Sequence, residues 1–266
     1  MANNNDDKGY SILPFPPIRQ ITLDMGRMHL RRHLMVGLLE FDVSAAREAI
    51  RKHKEATGEA LSFSAFVVAC LARAIADQPR VQAYRNWRNQ LIVFSDVDVA
   101  MLIETEVNAT AMPYVIREAN RKTVHAIHEE IRAIQRARTP SQQQSQRLVR
   151  YAALLPAFVR ALYYRAIMLS PQWIRQFAGT VAVTAVGMFA HGGGWGIGFL
   201  PFHTMLLTVG GIALKPALRD GQLVEREYLC LTLSIDHDVL DGAASARFTA
   251  RFRELVESAY GLCSQQ

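Results

Sequence analysis

From residue 176 to residue 214 the chain runs 39 residues without an aspartate, glutamate, lysine or arginine. A run that long belongs either in a bilayer or inside a folded domain, and its composition decides which. Glycines recur through it, Pro201 interrupts it, and β-branched residues gather at Thr180, Val181, Val183, Thr184 and Val186. Glycine and proline break helices, while β-branched side chains favour strands. The run therefore reads as buried strands and turns.

It lies within a longer stretch, 131–219, that holds no acidic residue and ten basic ones. The rest of the chain carries 20 basic and 24 acidic side chains, so the net charge of +6 belongs to this block. Three readings of the block are open: a surface face that neutralises the acidic remainder, a site for an anionic ligand, or a docking element for a membrane surface or partner protein at 148–177. The last has Leu, Phe, Tyr and Trp among arginines, as interfacial helices do. Spanning is not expected, because Arg150, Arg160 and Arg165 would each cost roughly 2.5–3.5 kcal/mol at mid-bilayer. Nucleic acid is not expected either, since apolar residues dilute the basic ones and no reader motif is present.

The 266 residues are enough for one large α/β domain with its own core. Residues 1–17 read as a flexible lead-in ending in PFPP, and 18–266 as the domain, with a basic apolar insertion at about 139–178 that opens on a polar linker at 139–146. Strands are expected at 34–43, 91–94, 98–103, 181–186, 205–214 and 227–236. Ser44 is expected to cap a helix that stops at Gly58, and a second helix, apolar all round and so deeply packed, begins near Ser62. A further helix starts near Thr123, where Val124, Ile127, Ile131 and Ile134 recur every three or four residues; His125 and His128 on it are expected to face solvent. Strands and helices alternate, which calls for a central sheet. Three cysteines at unrelated spacings and a polar N-terminus fit a reducing cytoplasm, with a place at the membrane periphery as the alternative. His29 and His33, four apart, could share a helix face, but no glutamate accompanies them and no metal is expected.

The segment YLCLTLSIDHDVLDGAASARF carries the most chemistry. Leu229, Leu231, Leu233 and Ile235 alternate with Tyr228, Cys230, Thr232 and Ser234, as in a strand. If the alternation continues, His237 falls on the leucine side and faces inward, and Cys230 falls on the other. Asp241 then suits the N-cap of the last helix and Gly242 a tight turn. The run Gly192-Gly193-Gly194-Trp195-Gly196-Ile197-Gly198 is followed by Pro201 rather than a helix. It reads as a loop over a channel, not a phosphate cradle.

Asp236-His237-Asp238-Val239-Leu240-Asp241-Gly242 resembles the Asp-His-Arg-x-x-Asp-Gly signature of the catalytic domain of 2-oxoacid dehydrogenase E2 components, within the CoA-dependent acyltransferase superfamily. Other stretches follow in the family's order. Arg32-His33-Leu34 resembles its Pro-His step, and Ala60-Leu61-Ser62-Phe63 resembles Lys-Leu-Ser-x. Pro79-Arg80-Val81-Gln82-Ala83 resembles Pro-x-Val-Asn-Ala. The stretch from Gly179 through Thr184 to Gly187 resembles Gly-Thr-Phe-Thr-Ile-Ser-Asn-Leu-Gly.

The resemblance implies an α/β fold of the chloramphenicol-acetyltransferase type, a sandwich of mixed sheet and helices. It implies a homotrimer, with assembly into a larger cage left open, and coenzyme A as acyl-CoA co-substrate. It also implies His237 as general base, Thr184 as hydroxyl donor to the oxyanion from a different subunit, and Asp241 as a turn-fixing residue paired with an arginine. Asp238 stands where the family has arginine, and no lipoyl group is expected on the chain. Two alternatives remain: a trimeric scaffold with little or no catalysis, and a membrane-surface acyltransferase with a lipidic acceptor.

Overall fold

A computed structural model describes residues 10, 12–16, 18–103, 112–136, 154–187 and 192–262. In chain order the elements are α1 (Ile18–His29), β1 (Leu34–Asp42), α2 (Ser44–Thr57), α3 (Phe63–Asp77), β2 (Tyr84–Arg85), β3 (Leu91–Ile92), β4 (Val99–Ile103), β5 (Met112–Ile116), α4 (Val124–Arg136), α5 (Ala157–Met168), α6 (Pro171–Ala178), β6 (Val181–Ala185), β7 (Met205–Arg219), β8 (Gln222–Asp236) and α7 (Gly242–Glu257). The polar linker expected at 139–146 lies outside the described residues.

Six strands form one mixed sheet in the order β1-β8-β7-β6-β4-β5. β6 runs parallel to β7 and β4, and the other neighbours are antiparallel. Within the charge-free run lie β6, residues 192–204, which strap over the sheet, and the first ten residues of β7. β7 and β8 are each longer than the sequence suggests. Asp220 (φ 50°) and Gly221 (φ 76°) close them as a two-residue hairpin, the turn that Asp-Gly favours.

One face of the sheet carries Phe41, Val99, Val183, Leu207 and Leu231, packed under α3, α4 and α7. α3 is almost wholly buried, as its unbroken apolar pattern predicts. Ser62 caps it by accepting the Ala65 N–H. Ser44 does not cap α2: it is the first helical residue, and its hydroxyl accepts the Glu227 N–H at 2.8 Å from the neighbouring strand. His128 is buried rather than facing solvent, because its Nδ1 accepts the Ser62 N–H at 2.9 Å.

The opposite face holds two rows in register, Val36-Ser234-Leu206-Ala182 and Leu38-Thr232-Thr208-Thr184. Residues 192–204 strap across this face. A Cβ on Gly198 would lie 2.8 Å from the Leu206 side chain and 3.3 Å from the Thr208 hydroxyl, so glycine there lets the strap lie directly on the strands.

Four cations of the basic block pair with carboxylates elsewhere in the chain. Arg160 binds Asp24 at 2.5 Å, Arg175 binds Asp98 at 2.9 Å, Lys215 pairs with Glu40, and Arg219 lies 3.5 Å from Asp42. Among the described residues, no helix is long and apolar enough to cross a membrane.

Candidate active site

β8 ends at Asp236, and the backbone then turns. Asp236 Oδ1 accepts the Asp238 N–H at 3.2 Å, and its carbonyl accepts the N–H groups of Val239 and Leu240. The side chain of Asp236 is buried and paired with Arg32, which also donates to the carbonyls of Pro201 and Phe202. This pair ties the start of β1, the end of β8 and the strap together.

Because the strand stops there, the alternation does not reach His237. Its side chain is exposed, not inward-facing, while its N–H donates to the His33 carbonyl at 2.8 Å. Beside it, Asp238 Oδ1 lies 2.8 Å from His33 Nδ1. That hydrogen bond is the main cause of a raised His33 pKa and a lowered Asp238 pKa. The negative charge at the usual arginine position is thus matched by a neighbouring imidazole. Asp241 is the N-cap of α7 and accepts the Ala244 N–H at 2.7 Å. Among the described residues no arginine pairs with it; Arg32 reaches the buried Asp236 instead. His29 and His33 do not share a face, since α1 ends at His29, whose Nδ1 accepts the Leu200 N–H at 3.0 Å.

Thr184 lies half-buried on the strap-bearing face. Beside it, sequence reasoning missed Thr208 and Thr232, which with Ser234 have buried hydroxyls that find no partner among the described residues. Their threonine-rich alternation in β7 and β8 was the available signal. His237 is five residues beyond Thr232, and Thr232 is two strands from Thr184. At ~3.3 Å per residue along a strand and ~4.8 Å between strands, Asp236, the last residue of β8, sits roughly 16 Å from Thr184, and His237 follows it in the turn. A single chain does not bring them together.

Cys230 is buried on the strap side, where it accepts the Gly194 N–H at 3.4 Å. Elsewhere, Glu59, His128 and Glu129 place three potential metal ligands within 4.8 Å. His128 Nδ1 accepts a backbone N–H, which puts the ring proton on Nε2, the atom 3.0 Å from Glu59. A protonated nitrogen does not coordinate a cation. This is a hydrogen-bonded core histidine.

A mixed sheet covered by helices on one face, with a histidine turn leading into a capped C-terminal helix, defines an α/β sandwich. The family profile described as 2-oxoacid dehydrogenases acyltransferase (catalytic domain) matches residues 34–147 and 165–263, and the chain belongs to that family. Residues 148–164 are unmatched. The lipoamide acyltransferase component of the branched-chain alpha-keto acid dehydrogenase complex of Bacillus subtilis (strain 168) is 27% identical over 227 residues, covering 83% of this chain and 46% of that protein. The dihydrolipoyllysine-residue acetyltransferase component of the pyruvate dehydrogenase complex of Rickettsia typhi is 22% identical over 262 residues, covering 96% of this chain and 57% of that protein. The chain spans about half the length of these relatives.

Among solved structures, the cubic core of the pyruvate dehydrogenase multienzyme complex superposes with a TM-score of 0.70 at 18% identity, covering 98% of both chains. The Azotobacter vinelandii dihydrolipoamide acetyltransferase, in a study of the role of a serine, a histidine and an asparagine in its catalytic mechanism, gives 0.71 at 18% identity, again over 98% of both chains. A chloramphenicol acetyltransferase gives 0.53 at 14% identity, over 90% of this chain and 94% of that one. These likenesses establish the chloramphenicol-acetyltransferase-like fold.

Proposed function

We propose that the chain moves an acyl group from acyl-CoA to a thiol, hydroxyl or amine acceptor, as a homotrimer whose sites lie between subunits. The observation that carries this reading is the separation of His237 from Thr184 within one chain. The motif histidine is exposed on its turn and the motif hydroxyl lies two strands away, so a complete site needs one group from each of two copies. In the Azotobacter vinelandii enzyme the histidine follows the serine by 52 residues and the asparagine follows the histidine by four. Here His237 follows Thr184 by 53 residues, and Asp241 follows His237 by four.

In the proposed reaction His237 takes the acceptor's proton as the acceptor attacks the thioester carbonyl carbon. The carbonyl π-electrons move onto oxygen, where the partner subunit's Thr184 donates its hydroxyl. Collapse breaks the carbon–sulfur bond, and the proton passes from His237 to the departing CoA sulfur. General-base help of this kind is worth about 10²–10⁴-fold, and one oxyanion donor about 10²–10³-fold. The test is release of CoA thiol from acetyl-CoA with dihydrolipoamide as acceptor. His237→Ala is expected to lose about 10²–10⁴-fold in kcat, and undiminished turnover would remove the histidine from the reaction. No turnover by the unmodified chain, together with a stable oligomer, favours a scaffold.

One observation favours a lipidic acceptor as the second reading. Phe158, Leu162, Trp173 and Phe177 are exposed along α5 and α6. Against it, Arg160 and Arg175 are turned inward onto Asp24 and Asp98 instead of flanking that surface. Flotation with anionic liposomes decides: a lipidic acceptor requires the chain to rise with them, and a Phe158→Ser/Leu162→Ser variant to stay behind.

A further inference from the structure

A cavity of about 520 Å³ opens between α1, α5, the β2–β3 hairpin and the turn after β8. Small-molecule sites fall in the range of roughly 300–1,000 Å³. One wall is Ala157, Ala161 and Tyr164, from the segment that the family profile leaves unmatched. Trp87, Tyr164 and Phe202 give it flat apolar surface.

Its charges do not cancel. Three carboxylates line it, and each is already engaged: Asp24 by Arg160, Asp236 by Arg32, and Asp238 by His33. Two guanidiniums that also line it, Arg31 and Arg165, have no acidic partner among the described residues. Planar guanidinium groups match the oxygens of carboxylate and phosphate in paired hydrogen bonds. We propose that this cavity binds a small molecule carrying a carboxylate or phosphate on a flat or apolar body, with Arg31 and Arg165 holding the anion and Trp87, Tyr164 and Phe202 holding the body. The inference goes beyond the acyl-transfer reading and does not depend on it.

The test is calorimetric titration of the whole chain with benzoate, with phenyl phosphate, and with benzyl alcohol as the neutral counterpart. Saturable binding of an anion is expected, at least about tenfold tighter than the alcohol, and whichever anion binds better identifies the head group. An Arg31→Gln/Arg165→Gln variant should weaken that binding by about tenfold or more. Its thermal midpoint should not change, because both side chains are exposed. His237→Ala should bind the probes like the unmodified chain, so a failure of acyl transfer leaves this result untouched. Equal binding of the alcohol, unchanged binding by the double variant, or no saturation by either anion in the millimolar range would each overturn the proposal.

Discussion

Thr184 stands where the family's motif has serine, so its hydroxyl and its methyl can be tested apart. Thr184→Val keeps the shape and the strand preference and removes only the hydroxyl. Its kcat is expected to fall by about 10²–10³-fold with little change in thermal midpoint, while Thr184→Ser keeps activity. A fully active valine variant would show that the oxyanion is held elsewhere. A second residue-scale effect concerns His203. It is buried, and its Nε2–H donates to the Ala178 carbonyl at 2.7 Å. Burial pushes its pKa down to about 4, against about 6.5 in an unfolded chain. The unfolded state therefore takes up the proton first as pH falls. The contribution of His203 to stability is complete above about pH 6.5, declines by about 1.4 kcal/mol per pH unit below it, and levels off near the folded-state value. Denaturant unfolding at stepped pH checks this. His203→Gln should remove that slope, and an unchanged slope would assign the acid sensitivity to other groups. Neither the burial of His203 nor the exposure of His237 was legible in sequence. The first follows from a contact with Ala178, 25 residues away, and the second from a strand that ends at Asp236, where the side chain pairs with Arg32, 204 residues away.

Elements were legible wherever local chemistry specified them. Ser62 opens α3 through its side-chain cap, and Gly58, free of a Cβ, takes the left-handed conformation (φ 77°) that closes α2. The stripe from Val124 to Ile134 became the buried side of α4. Asp241 caps α7 as expected, and it supplies the element-scale prediction. Asp241→Ala should cost about 1 kcal/mol of stability, whereas Asp241→Asn, which still caps, should cost little. If Asp241→Asn instead loses activity at unchanged stability, the carboxylate acts in the reaction and not only in the turn. Two elements went unread. α1 carries Ile21, Met25 and Met28 as a stripe on a helix of mixed character, with Leu23 exposed off it, and the stripe gains meaning only once Asp24 meets Arg160. β5 is a strand on the rim of the sheet, paired with β4 alone, and its pattern is interrupted by Pro113. Gln82 was legible as part of a motif but not as structure. It is fully buried, donates to the carbonyls of Phe94 and Asp96 and accepts from Thr180, so it joins two of the matched motifs in one hydrogen-bonded node.

At the scale of the whole molecule, the acid-free block and the missing half of the site are both matters of pairing. Within the positive block, Arg160, Arg175, Lys215 and Arg219 are turned onto carboxylates contributed by other parts of the chain. The pairing that a single chain does not complete is that of His237 with Thr184. The register between β7 and β8 is held by the buried leucine face of β8, and a slip of one residue would turn every leucine of β8 away from the core, so the two groups cannot approach by sliding strands. If the reaction needs both, two variants that are each inactive should rescue one another when mixed into the same oligomer. Co-expressed His237→Ala and Thr184→Val chains, differently tagged and purified through both tags, would form sites that draw the histidine from one variant and the threonine from the other. In a cyclic trimer purified through both tags, one site in three would be intact, and CoA release should recover to about a third of the unmodified rate. Activity that stays at the level of the separate variants, in oligomers shown to contain both chains, would mean that each site is built from one chain, and the intersubunit reading would fall.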